Sequence, residues 1–254
     1  MPPYQHKQPS ALVQVVDLFL IEMTNWRWTW RSMVITATLA PLLSILALGV
    51  FARDAGTEAL SYVLTGNVVL ALMFGNMSNV ESHFVFMRSV GTLDYFATLP
   101  VQRYLLILAV VLAFFLLSLP SVLVTILLGS LFLKLPLSFN PLIFLVVPIA
   151  SIPLAGIGAL VGTSARNLQE ANSLNLVLTL GMVALGPVVI PPERLSPIFL
   201  YLGIFSPATY AASALRQTLI GPMTSRVILD LAVLLGLAGF TFWLVGRKMD
   251  WRQH

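Results

Sequence analysis

Six long apolar runs constrain this chain more than any other feature of its sequence. An α-helix that crosses the ~30 Å hydrocarbon core of a bilayer needs about 20 mostly apolar residues. Each run reaches about that length or exceeds it, so we expect an all-α polytopic membrane protein with six transmembrane helices in a single domain, residues 1–254. The predicted spans are residues 33–51, 60–80, 104–132, 142–163, 172–190 and 227–246.

The composition supports a membrane location and argues against a soluble one. Of the 254 residues, 58% are hydrophobic and 9% are charged, whereas soluble domains carry about 25% charged residues. A water-soluble fold of this size would leave too much apolar surface in water. The net charge of +4 does not indicate a nucleic-acid partner, because Lys and Arg stand singly or in pairs near the ends of the apolar runs.

The distribution of basic residues predicts the orientation. With six spans both termini lie on one side of the membrane, and that side holds nine of the 14 Lys and Arg residues. Because cytoplasmic segments carry the excess of positive charge, we expect both termini in the cytoplasm of a multi-pass protein of the inner or plasma membrane. The nine residues are Lys7, Arg27, Arg31, Arg88, Arg103, Arg166, Arg247, Lys248 and Arg252.

Sequence motifs for catalysis and metal binding are missing. The chain has no cysteine, and its three histidines are far apart in sequence, so we expect no metal site. A GxxxxGK[ST] phosphate loop is absent, as are GxSxG, HExxH and paired carboxylates. We therefore expect no enzyme activity in this chain, although Glu81, His83 and Arg88 are the nearest approach to a polar cluster at a membrane face.

Two classes of transporter remain open at this point. An ion-coupled secondary carrier or a channel is one alternative, because six spans are common to many such proteins. Carriers of this kind usually place an acidic or basic side chain near the middle of the membrane. No charged residue lies in the middle of a predicted span, which favours a transporter that draws its energy from elsewhere.

Residues 10–31 precede the first span and predict an amphipathic helix in the membrane interface. Apolar and aromatic residues recur there at intervals of three and four, and "NWRWTWR" alternates tryptophan with arginine. Both residue types prefer the headgroup layer. The helix is either a membrane anchor or also a contact for a cytoplasmic partner. Its candidate residues are Phe19, Met23, Trp26, Arg27, Trp30 and Arg31.

Two further segments interrupt the pattern of spans. "GTLDYFATLPVQRY" lies between the second and third spans, and we expect a short helix over residues 91–100. Residues 191–221 lie before the last span and contain an apolar run, 198–205, that is too short to cross a bilayer. Ser206-Pro207 predicts a helix start and Gly221-Pro222 a helix end, so a re-entrant outer helical hairpin is expected.

This arrangement resembles the permease subunit of type-2 ATP-binding-cassette (ABC) exporters, a class that includes drug, polysaccharide and lipid exporters. "GTLDYFATLPVQRY" is similar to the coupling segment of that family, with Asp94 in place of the usual Glu and Leu99 between Thr98 and Pro100. "SPATYAASALRQTLIGP" is similar to the family's Pro-x-x-Tyr…Leu-Arg…Gly hairpin. The corresponding hairpin residues are Pro207, Tyr210, Arg216 and Gly221.

The resemblance implies partners and a division of labour. Such a permease pairs with a second copy of itself or a related permease and with ABC ATPase subunits, which bind ATP and Mg, so this chain needs no cofactor of its own. The coupling segment would contact the ATPase, with Tyr95 and Phe96 as aromatic anchors; the alternative is an interfacial turn without a partner. The candidate coupling residues are Gly91, Thr92, Leu93, Asp94, Tyr95, Phe96, Pro100 and Arg103.

The resemblance also implies a transport path at the seam between two permease copies, capped on the outer side by the hairpin. The residues expected along this path are mildly polar and uncharged: Thr36, Asn67, Asn175 and Thr179. The scarcity of charge favours an amphipathic or hydrophobic substrate, such as a drug, a lipid or a glycoconjugate. Efflux from the cytoplasm or the inner leaflet is the direction that the resemblance implies.

Overall fold

The computed structural model describes residues 10–25, 30–52, 56–99 and 101–248. Within these ranges the regular secondary structure is helical throughout. A π-helical turn, Met73–Met77, lies between Leu72 and Ser78, and a 3-10 turn, Pro192–Arg194, follows Pro191. The helices are α1 (Ala11–Asn25), α2 (Trp30–Ala52), α3 (Gly56–Leu72), α4 (Ser78–Ser89), α5 (Thr92–Thr98), α6 (Arg103–Leu133), α7 (Ile143–Ser164), α8 (Leu168–Ala184), α9 (Pro197–Gly203), α10 (Pro207–Leu219) and α11 (Arg226–Lys248).

Among the described residues, five helical segments are long and apolar enough to cross a bilayer. They are α2, the continuous segment from α3 through α4, α6, α7 and α11. The pair α9 and α10, bent by 90°, brings the number to six if it is counted as one broken span. The prediction of an all-α polytopic membrane protein is confirmed.

The fifth predicted span, residues 172–190, differs most from the structure. The corresponding helix α8 runs from Leu168 to Ala184, and its 17 residues extend about 25 Å, somewhat less than the ~30 Å hydrocarbon core. It begins early because the side chain of Asn167 accepts a hydrogen bond from the Glu170 backbone N–H at 2.8 Å. It ends before Gly186-Pro187, since proline lacks the N–H that a continuing helix needs.

The segment from α3 through α4, residues 56–89, occupies the middle of the bundle, and we call it the central span. Of its most apolar stretch, 89% is buried inside the protein, against 28% for α2 and 28% for α11. The π turn lies within this span, and the amide of Asn79 donates to the carbonyl oxygens of Phe74 and Gly75 at 3.3 and 2.8 Å. These bonds satisfy backbone groups that the wider turn leaves free.

Glycines on α7 bring its backbone against the central span. A Cβ at Gly158 would overlap the carbonyl oxygen of Met77, and a Cβ at Gly162 would overlap that of Glu81. The two glycines are one helical turn apart, so they form a smooth stripe on which a second helix can lie. The close approach of α7 to the central span therefore depends on the absence of side chains at both positions.

The bundle has two ends with different accessory helices. At one end, which we call the α5 end, lie α5, the end of α4 and the loop between α7 and α8. At the other, the hairpin end, lie α9 and α10. There the loop after α6 pairs with α10, since the backbone N–H groups of Ser138 and Asn140 donate to the carbonyl oxygens of Leu219 and Thr218 at 2.8 and 3.1 Å.

Candidate functional site: helix α5 and its surroundings

Helix α1 lies against the bundle with one face buried. Gln14, Leu18 and Glu22, spaced four residues apart, are 6%, 5% and 2% exposed. Apolar residues on another side of the helix, such as Leu12 and Val16, are exposed instead. An amphipathic helix whose apolar face remains exposed fits a position in the membrane interface.

A buried contact between a carboxyl group and an imidazole ring joins α1 to the central span. Glu22 Oε2 lies 3.0 Å from His83 Nε2, and both side chains are almost fully buried. The imidazole ring also stands edge-on to Phe114 of α6, with ring centroids 5.4 Å apart. Glu22 was not among the predicted residues, although its spacing of four residues from Leu18, and of Leu18 from Gln14, indicates a shared helix face.

The other candidate residues of the predicted interfacial helix lie in several settings. Phe19 and Met23 are half-buried on α1, whereas Trp30 and Arg31 are exposed in the first turn of α2. The guanidinium carbon of Arg31 is 5.7 Å from the centre of the Trp30 ring. Trp26 and Arg27 lie outside the described residues. The range predicted as one interfacial helix, residues 10–31, thus covers α1 and the first two residues of α2.

Helix α5 is short and has two distinct sides. It follows Gly91, whose φ of 75° lies in the left-handed region that glycine adopts without strain. Leu93 and Phe96 are 6% and 7% exposed and face the bundle, while Asp94 and Tyr95 are exposed. The spacing of three between the two buried residues places them on one face of the helix.

The buried side of α5 belongs to an apolar cluster at the α5 end. Leu93 and Phe96 pack there with Leu18 of α1, Phe84 of the central span and Leu106 of α6, among others. Helix α5 packs mainly against α4, so a displacement of α5 would act first on the central span and through it on the rest of the cluster. This cluster is a direct mechanical connection between the short helix and the membrane-spanning segments.

The hairpin end is held together by polar and aromatic contacts. Helix α10 begins at Pro207, and the hydroxyl of Tyr210 donates to the Ile204 carbonyl oxygen at 2.8 Å, which fixes the corner between α9 and α10. The guanidinium carbon of Arg216 lies 3.3 Å from the centre of the Tyr62 ring on the central span. Such cation–π contacts stabilise a charge that is withdrawn from water.

The hairpin is also bound to the last span. The Gln217 Nε2 donates to Asp230 Oδ2 at 3.3 Å, and Asp230 is fully buried near the start of α11. Helix α10 ends before Gly221, whose φ is 78°. The partner described for Arg216 is an aromatic ring of the central span. Neither Tyr62 nor Asp230 was recognised as a hairpin contact from the sequence.

Comparison with known proteins identifies the family. The family model described as "ABC-2 type transporter" matches residues 14–220. The chain belongs to the ABC-2 type transporter family. The match runs from α1 to the end of the α9–α10 hairpin and includes α5, so the resemblance to the permease subunit of a type-2 ABC transporter is confirmed. A search of the curated proteins gives no match.

Family membership gives the exposed side of α5 a meaning. ABC-2 permeases are membrane components, and the family implies partnership with an ABC ATPase. The aromatic anchors expected for that partner were Tyr95 and Phe96. Phe96 does not fit, because it is 7% exposed and is packed inside its own chain. Tyr95 is 63% exposed and remains available for a partner.

The remaining coupling candidates are less exposed than Tyr95. Gly91, Thr92 and Arg103 are half-buried, and Arg103 forms the first residue of α6. Pro100 lies outside the described residues. The exposed surface of α5 in this permease is therefore made by Asp94, Tyr95 and Thr98, and Leu99 continues it directly after the helix.

The four residues expected along a seam between two copies do not share one exposed face. Thr36 is exposed on α2, but Asn67 is fully buried and donates to the Val63 carbonyl oxygen at 2.8 Å. Asn175 and Thr179 lie on the buried side of α8, where Asn175 donates to Ser78 Oγ at 2.8 Å. The pathway role of Asn67 stays a prediction; in this structure the chain itself encloses its side chain.

Asn175 and Thr179 occupy α8 one turn apart, on the side that packs against the central span. The exposed sides of α2 and α8 are apolar instead, with Ile35 and Leu39 on α2 and Val177 and Leu180 on α8.

Within the described ranges, no group of three or more His, Cys, Asp or Glu side chains could hold a metal ion.

Proposed function

We propose that this chain is the membrane-spanning subunit of an ATP-driven exporter and that the exposed side of α5 is the surface on which the ATPase subunit docks. The division of α5 into a buried and an exposed side carries this proposal. Asp94 and Tyr95 face outward, while Leu93 and Phe96 are fixed in the bundle. A helix that only closed a loop would have no need for an exposed aromatic residue at its centre.

The same division supports a mechanism for coupling. ATP binding and hydrolysis by the partner subunits, with Mg, would move the surface that holds Tyr95. Leu93 and Phe96 would pass that movement to the apolar cluster that also contains Leu18 and Phe84. The interfacial helix and the central span would then shift together, because Glu22 and His83 connect them.

The exposed apolar faces support a second permease copy in the assembly. Only 28% of the most apolar stretch of α2 is buried within the chain, and the outward side of α8 is similarly uncovered. Two copies joined along these faces would place an apolar path between them, which suits export of an amphipathic or hydrophobic substrate such as a drug, a lipid or a glycoconjugate. Lipid would cover the rest.

Orientation and location complete the proposal. The α5 end carries Arg88, Arg103 and Arg166, in keeping with a cytoplasmic side. Both termini would then be cytoplasmic and the hairpin would cap the outer side of the inner or plasma membrane. Membership of the ABC-2 family disfavours the alternative of an ion-coupled carrier or a channel.

The decisive experiment compares two exposed tyrosines. Tyr95 on α5 and Tyr201 on α9 are 63% and 70% exposed at opposite ends of the bundle. We expect Tyr95→Ala to weaken binding of the cognate ABC ATPase by about 1–3 kcal/mol, as for other aromatic residues at interface centres, and Tyr201→Ala to leave it unchanged. The readouts are ATPase affinity for the permease in nanodiscs and the ATP hydrolysis rate of the complex.

Two results would contradict the proposal. One is a Tyr95→Ala variant that binds the ATPase with wild-type affinity and supports full transport. The other is ATP hydrolysis by the purified chain without any partner.

A further inference from the structure

A cavity of about 700 Å³ opens at the α5 end, apart from the exposed side of α5. Its walls come from two stretches of chain, the last turn of α4 and the loop that connects α7 to α8. No residue of α5 is among those that line it. The lining residues are Val85, Phe86, Arg88, Ser89, Ser164, Ala165, Arg166, Asn167 and Leu168.

The cavity is basic because each wall contributes an arginine. The Arg88 side chain donates to the carbonyl oxygens of Thr163, at 3.2 Å, and Ala165, so its charge is fixed in place between the two walls. A guanidinium has five N–H donors, and these bonds leave others for a ligand. Arg166 is exposed on the opposite wall. Two arginines with neighbouring neutral donors suit a phosphate group.

The acidic residue next to this loop is bonded to the backbone and does not line the cavity. Glu170 lies outside the cavity lining, and its carboxylate accepts from the backbone N–H of Arg166 at 2.9 Å. Glu170 and Asn167 together cap the start of α8. Ser164 adds a hydroxyl group to the lining, whereas the Ser89 hydroxyl already donates to the Phe86 carbonyl oxygen at 2.9 Å. The polar part of the cavity therefore offers cationic and neutral donors to an anion.

The apolar part of the cavity favours binding of an amphiphile over binding of a free anion. Phe86 is 61% exposed and Leu168 is 49% exposed, one on each wall. Beyond Leu168 the exposed side of α8 continues with Leu176 and Leu180. Because α4 and α7 end here and α8 begins here, the arginines lie where headgroups meet the hydrocarbon, and the apolar residues lead from that level along a span.

We infer that this cavity is a binding site for an anionic phospholipid. The arginines hold the headgroup phosphate, and the acyl chains lie against Phe86 and the exposed side of α8. This site is separate from the coupling surface and goes beyond the proposed export function. It would tie the loop between α7 and α8 to the inner leaflet.

The test uses the purified full-length chain in a neutral detergent, titrated with phosphatidylglycerol, phosphatidylcholine or inorganic phosphate. Native mass spectrometry counts bound lipid, and thermal unfolding measures the stabilisation that it gives. We expect phosphatidylglycerol to bind at least tenfold more tightly than phosphatidylcholine. Arg166→Gln should remove most of that preference, whereas Arg194→Gln, an exposed arginine at the hairpin end, should retain it.

A second variant distinguishes binding of the whole lipid from binding of a phosphate group alone. Phe86→Ser should weaken phosphatidylglycerol binding and leave any response to inorganic phosphate unchanged. Equal binding of phosphatidylglycerol to wild type and Arg166→Gln would overturn the inference. So would a response to millimolar inorganic phosphate as large as that to the lipid, with no effect of Phe86→Ser.

One further outcome distinguishes this inference from the proposed function. If Arg166→Gln weakened ATPase binding and left phosphatidylglycerol binding unchanged, the cavity would belong to the ATPase interface and the lipid site would be wrong. The coupling role of α5 would still stand or fall on the Tyr95→Ala variant.

Discussion

The central span and the two rim spans, α2 and α11, look alike as apolar runs but differ in what surrounds them. The central span is 89% buried over its most apolar stretch, and the rim spans are 28% buried. The central span is nevertheless the least hydropathic of the three. Its fully buried residues include Asn67, Asn76 and Glu81, whereas the exposed residues of α2 are mainly apolar.

This contrast follows from the solvent. Side chains that face lipid must be apolar, because hydrocarbon cannot hydrogen-bond to them. A side chain inside the bundle can be polar when its own chain supplies partners, as Ser78 does for Asn175 and Val63 does for Asn67. In this permease the interior is therefore where polar and small residues concentrate.

The largest expected effect comes from removing a ring from the central span. Phe84 is fully buried in the apolar cluster at the α5 end, whereas Phe51 on α2 is 79% exposed. We expect Phe84→Ala to cost about 3–5 kcal/mol, because it leaves a cavity in a packed interior. Phe51→Ala should change stability by less than about 1 kcal/mol. Unfolding of both variants in one detergent measures the difference.

Equal losses for Phe84→Ala and Phe51→Ala would break the contrast between centre and rim. They would mean that contact with the surrounding lipid or detergent stabilises a ring as much as contact with the bundle does.

A somewhat smaller effect is expected from adding a methyl group. Gly158→Ala would overlap the Met77 carbonyl oxygen, a backbone atom that cannot rotate away, so α7 must move from the central span at a cost of about 1–3 kcal/mol. Gly236 on α11 has open space where a Cβ would lie. Gly236→Ala should be neutral or stabilising by about 0.5–1 kcal/mol, because alanine favours a helix. Thermal unfolding gives the comparison, and a Gly158→Ala protein as stable as wild type would show that the helices are not in close contact.

Much of the fold could be predicted from the sequence, because lipid imposes a simple rule on length and polarity. The runs at 104–132, 142–163 and 227–246 differ by one or two residues at each end from α6, α7 and α11. The run at 60–80 underestimated the central span, since polar residues such as Glu81 and His83 continue the helix inside the bundle. A hydropathy pattern does not show that a polar residue has a partner from another helix.

The candidate site was predictable in place but only partly in detail. The motif "GTLDYFATLP" located α5 correctly, yet it did not show which aromatic residue faces inward. Which ring faces inward depends on the backbone direction after Gly91 and on the apolar cluster in which Phe96 packs. The contacts of Glu22 with His83 and of Arg216 with Tyr62 join residues distant in sequence, so one chain read by its local periodicity does not reveal them.

The smallest effect on stability is expected from single cysteines at the rim. Because the chain has no cysteine of its own, any disulfide must come from the introduced residue. Thr36 is exposed on α2, so Thr36→Cys should leave stability unchanged. If the exposed face of α2 meets a second copy, this variant should form a covalent dimer in the ATPase-bound complex when an oxidant is added. Asn67→Cys lies in the enclosed central span and should stay monomeric under the same conditions. Phe240→Cys, exposed on the other rim span, reports collisions that are not specific to α2. A dimer at Phe240→Cys with none at Thr36→Cys would move the seam from α2 to α11, while a dimer at Asn67→Cys would mean that the central span opens during transport.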